Sequence, residues 1–109
     1  MNINRREYSF NITLNNRIFT TVIIDSHYEI KHPDINDQII LLLLEQINGS
    51  IIELSDESNG FKYFAQEIYW NLKPYRIILT YCEEDFLGVI NAFRIKEKNY
   101  EKMAKSSRH

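Results

Sequence analysis

The sequence predicts a single α+β domain over residues 1–109. It has an N-terminal β-hairpin, one main helix packed on an antiparallel sheet of about four strands, and a short charged helix at the C-terminus. Three observations carry this. Two β-branched runs, YSFNITL and RIFTTVII, meet at Asn15-Asn16, a pair that tolerates the left-handed backbone of a tight hairpin. A proline-bounded start at Pro33-Asp34 leads into the apolar run Ile35–Ile47. Two further apolar runs, YRIILTYC and FLGVINAFRI, flank Glu83-Glu84-Asp85 as an antiparallel hairpin.

The helix signal is local. Pro33 stops what precedes it, Asp34 is placed to cap, and Asp37 adds a first-turn negative charge. Ile35, Ile39, Leu43 and Ile47 form one stripe, which residues 40, 41, 42 and 44 widen, so the helix needs cover over most of its circumference. Asn48-Gly49 ends it. SIIEL then reads as a short strand and SDESNG as an acidic turn. In FKYFAQEIYW, Phe61, Tyr63 and Ala65 share one strand face and Phe64 takes the other. The near-continuous apolar character of the last two runs places them at the centre of the sheet. Lys96–Lys105 reads as a charged terminal helix, which makes the order ββ-α-ββββ-α.

Composition narrows function less than fold. A hydrophobic fraction of 44% and an aromatic fraction of 13% are those of a globular chain. No apolar run approaches a membrane span and no secretory signal is visible, and Cys82 is alone, so a cytoplasmic protein without disulfides is expected. The net charge of −2 is unevenly spread. Residues 34–60 hold Asp34, Asp37, Glu45, Glu53, Asp56 and Glu57 with no lysine or arginine, whereas basic residues outnumber acidic ones from Phe61 onward.

The segment SHYEIKHPDI, residues 26–35, sets His27, Lys31 and His32 between a strand and a helix. His27 and His32 lack the i, i+4 spacing of a helical metal pair, and no glycine-rich phosphate loop exists, so neither metal nor cofactor is expected. A nucleophilic pair of Cys82 with His27 is disfavoured because Cys82 ends an apolar strand. General acid–base chemistry fits these residue types better. In RNA cleavage a base takes the 2′-hydroxyl proton, an acid protonates the leaving oxygen, and a cation steadies the phosphorane. His27, His32, Lys31 and Arg94 are the candidate catalytic residues, and Tyr81 and Asn91 the candidate substrate contacts.

HYEIKHPDINDQIILLLLEQI, followed by YRIILTYCEEDFLGVINAFR, resembles small bacterial toxins of the barnase–EndoU–colicin–RelE superfamily, most nearly the BrnT-like family. His27, Lys31-His32 and Ile35 correspond to its histidine-bearing helix entry, and residues 75–82 with 89–94 to its terminal hairpin and late arginine. The resemblance covers about residues 26–100 and leaves the N-terminal hairpin unexplained. It implies a metal-free endoribonuclease toxin that acts on RNA and is neutralised by a cognate antitoxin. The acidic balance of the chain departs from that pattern. A second reading follows from it: a non-catalytic acidic binding protein, of immunity, antitoxin or regulatory type, whose 34–60 stretch meets a basic partner. A third is a homo-oligomeric scaffold joined through Tyr63, Phe64, Tyr69 and Trp70.

Overall fold

Alternation in the first 25 residues becomes two strands, β1 (Arg5–Leu14) and β2 (Arg17–Asp25), in a computed structural model that describes residues 5–25, 34–82 and 84–96. Asn15 and Asn16 both take positive φ, 54° and 63°, as the twist of a two-residue hairpin demands. Helix α1 (Asp37–Ile47) follows, then β3 (Asp56–Ser58), β4 (Phe61–Trp70), β5 (Lys73–Tyr81) and β6 (Phe86–Arg94). All six strands lie in one sheet, in the order β1-β2-β6-β5-β4-β3.

This corrects the expected architecture. The sheet has six strands instead of about four, and it is mixed instead of antiparallel. The reason is β2, which runs parallel to β6, Thr21–Ile24 beside Phe86–Val89, and so brings the N-terminal hairpin into the main sheet. Both strands present buried residues, Val22 and Ile24 on one and Leu87 and Val89 on the other. Pairing them buries apolar surface that a detached hairpin would leave wet. β6 and β5 occupy the third and fourth places, central as their composition suggests.

The described residues contain one helix. Of the expected terminal helix only Lys96 is described, and it is not helical; the rest of that span lies outside the described residues. SIIEL is irregular chain and not a strand. Its polar backbone is taken by the hairpin turn instead: Asn15 donates its N–H to the Ser50 carbonyl at 3.0 Å, and Asn15 Oδ1 accepts the Ile52 N–H at 2.6 Å. The strand forms one step later, from Asp56, Glu57 and Ser58, which pair with Phe61–Tyr63.

The helix begins two residues later than its sequence suggests. Asn36, not Asp34, caps it, and its Oδ1 accepts the Ile39 N–H at 2.9 Å. Ile40, Leu43, Leu44 and Ile47 are buried against the sheet, joined by Phe19, Phe64, Ile77 and Leu79. The backbone of α1 approaches β1 and β4. In a flat sheet those strands, four places apart in the order, would lie about 19 Å from one another. The sheet therefore curls round the helix, which is how so apolar a helix is covered.

One polar cluster ties β1 to the helix start. Asp37 accepts hydrogen bonds from Arg6 Nε and, at 2.7 Å, from Arg6 Nη2, and its carboxylate also accepts from the Tyr8 hydroxyl. That hydrogen bond, with desolvation and the Asp37 charge acting the same way and Arg6 against them, holds the Tyr8 pKa above its ordinary value. A raised folded-state pKa means the linked stability is present below the unfolded value and is lost as pH rises through the folded one. Thermal unfolding should therefore fall more steeply for the native chain than for Tyr8→Phe above about pH 10. Parallel alkaline limbs in the two proteins would show that the hydroxyl contributes nothing. No helix among the described residues is long and apolar enough to cross a membrane.

Candidate functional site

Strand register separates the three sequence-predicted site residues that the structure describes. Tyr81 is a core ring, 6% exposed, stacked on Phe64 with centroids 5.0 Å apart and tilted against Phe19. The Arg17 guanidinium sits 5.3 Å above both the Phe19 and Tyr81 rings and donates to the Glu84 carbonyl, closing that end of the sheet. Asn15 Nδ2 reaches the Tyr81 hydroxyl at 3.3 Å. Every side of Tyr81 is thus occupied by the fold itself.

Arg94 is exposed at the other end. It lies opposite Tyr75, six residues from Tyr81 along β5, which separates the two sites by about 20 Å. Asn91 lies opposite Ile78, on the sheet face away from the helix, and its Oδ1 accepts the Ala92 N–H at 2.9 Å. His27, Lys31 and His32 lie outside the described residues. The described residues therefore bring Tyr81, Asn91 and Arg94 to three different places. Among them no group of three His, Cys, Asp or Glu side chains converges as metal ligands. Of the aromatic residues considered for self-association, Phe64 is core and Trp70 packs against the core, while Tyr63 and Tyr69 share the face away from the helix.

That second face carries the feature sequence reading missed. In a sheet covered on one side, the outward positions are ordinarily polar. Here Ile23, Tyr63, Ile78, Phe86 and Phe93 stand at outward register positions and are half-buried, with no described element across that face. At their centre is a cup of about 180 Å³, lined by Ile23, Phe61, Thr80, Phe86 and Ile90 with Gly88 in its floor. Arg5 and Asp25, directly opposite each other on β1 and β2, stand at its rim.

Two local devices shape the cup. A Cβ at Gly88 would meet Thr80 Cγ2 at 3.0 Å, so glycine keeps the floor open where any side chain would intrude. Between Asn91 and Val89 the β5–β6 register slips by one residue, which leaves Ile90 as a bulge, 36% exposed and turned to the cup wall. The available signal was a glycine between large apolar residues in FLGVI, since the other two glycines end a helix and close a turn.

Around the cup the face is mainly acidic. Glu7, Asp25, Asp56 and Glu67 project on it with Arg5 and Arg76, and Arg76 is already paired with Glu67 at 2.8 Å. No family model, curated protein or solved structure matches the chain, so the toxin resemblance rests on the residues quoted for it alone.

Proposed function

We propose that the chain is a non-catalytic binding protein that seats an apolar side chain of a protein partner in the cup on the sheet face away from α1. The observation that carries this is an apolar centre on a sheet face that no described element covers, with a walled hollow in it. A cavity of about 150 Å³ suffices for benzene, so the cup matches one aromatic or branched aliphatic side chain. The acidic surround supports a partner with a basic rim about that anchor, as an immunity protein, antitoxin or regulatory subunit would meet.

Expression in a bacterial host, with growth followed and partners captured from the lysate, tests this reading. Normal growth is expected, with one captured protein that is lost at high salt and lost again with the soluble variant Phe86→Asp. The ribonuclease reading has His27 and His32 as base and acid and Lys31 and Arg94 steadying the phosphorane. It expects growth arrest and RNA cleavage that a His27→Ala/His32→Ala variant abolishes. Arrest of that kind would overturn the binding assignment.

A further inference from the structure

The two edges of the sheet are built differently. β3 is three residues long, fully exposed and acidic, and an antiparallel copy centred on it would set Glu57 against Glu57. Such short charged edges resist pairing. β1 is ten residues long and carries no proline. Its far end is closed: Thr13 donates its N–H to Asn48 Oδ1 at 2.8 Å, and its carbonyl accepts the Gly49 N–H at 2.7 Å. Over residues 5–11 no described strand lies on its side away from β2. Its pairing with β2 is regular over Arg5–Ser9 before slipping between Ser9 and Ile12. Tyr8 and Phe10, packed on the core from this edge, remain half-buried.

We infer that β1 is a self-association edge, where a second copy of the chain pairs antiparallel about Tyr8 and joins two six-stranded sheets into one. Charge and face both support this occupant, and charge complementarity across the ladder supports this register. Centred on Tyr8, the pairing sets Tyr8 against Tyr8, Glu7 against Ser9 and Arg6 against Phe10, with no like charges opposed. Aromatic residues then meet across the new ladder on the helix side, and Thr13 keeps its bonds to the helix end. A register centred on Glu7 would oppose two carboxylates, and one centred on Phe10 would need Thr13.

Sedimentation of the full chain between about 1 and 100 µM tests it, because an association that buries a strand edge is governed by concentration. A mass twice that of the chain is expected at the upper end. Ser9 is exposed, so its variants should keep the fold, which far-ultraviolet circular dichroism checks. Ser9→Lys places an ammonium opposite Glu7 of the other copy at two symmetric positions and should tighten the dimer about fivefold, and Ser9→Glu should loosen it by a similar factor. A monomer at every concentration overturns the inference. So does a dimer that both variants leave unchanged or shift in the same direction.

Discussion

Replacing Phe64 with alanine is expected to lower stability by about 3–5 kcal/mol, the largest effect of any single truncation considered for this chain. Phe64 is 2% exposed and stacks at 16° on Tyr81, whose ring in turn meets Phe19. These three rings come from β4, β5 and β2. Removing the Phe64 ring leaves a void against Tyr81 that the curved sheet cannot close without moving the neighbouring strands. A domain of this length holds about 5–15 kcal/mol in total, so the variant sits near the limit of folding at 37 °C. Urea unfolding measures it. An unchanged dependence on urea with a much lower midpoint is the expected pattern. A loss under about 1.5 kcal/mol would mean that the ring stack is not a centre of the packing.

Asp37→Ala should cost about 2–3 kcal/mol by the same measurement. The Asp37 side chain is 12% exposed and takes hydrogen bonds from both Arg6 and Tyr8, bonds of the charge-assisted kind. Alanine leaves the half-buried Arg6 guanidinium without its carboxylate and removes the negative charge from the first turn of α1. The Tyr8→Phe change removes one hydrogen bond of the cluster and keeps the ion pair, so it should cost clearly less. Equal losses from the two variants would show that the hydroxyl, and not the ion pair, holds β1 to the helix.

Much of the backbone was legible along the chain because its signals are local. The hairpin at Asn15-Asn16 is set by two residues that accept positive φ, and the helix end at Asn48-Gly49 by a glycine at φ 88°. The stripe through Leu43 and Ile47 and the alternation of Phe61, Tyr63 and Phe64 each need only a few neighbouring residues to be read. Capping was misplaced by two residues because Asp34 and Asn36 are both competent caps, and only the position of the helix against the sheet chooses between them.

The site was much less legible. Tyr81 looks from sequence like a ring at a strand end, free to meet substrate, yet Phe64 from β4, Phe19 and Arg17 from β2, and Asn15 from the first hairpin turn enclose it. Arg94 and Asn91, three residues apart, face opposite sides of the sheet. The cup needs Ile23, Phe61, Thr80 and Phe86 from four strands, and Ile90 joins its wall through a slip in register that no residue pattern announces.

By itself the sequence determined most of the extended segments, though not that SIIEL stays irregular while residues 56–58 pair. It also determined the helix over residues 37–47, where most segments turn, and which residues are apolar enough to require burial. Tertiary structure decided that β2 lies parallel to β6 and that one sheet face carries a hollow that no described element covers. The division has a physical cause. Turns, caps and periodicity are decided by interactions within a few residues, whereas β2 and β6 meet across more than sixty residues of chain. Which strands meet, and in which register, depends on the total apolar surface buried when all six assemble round α1.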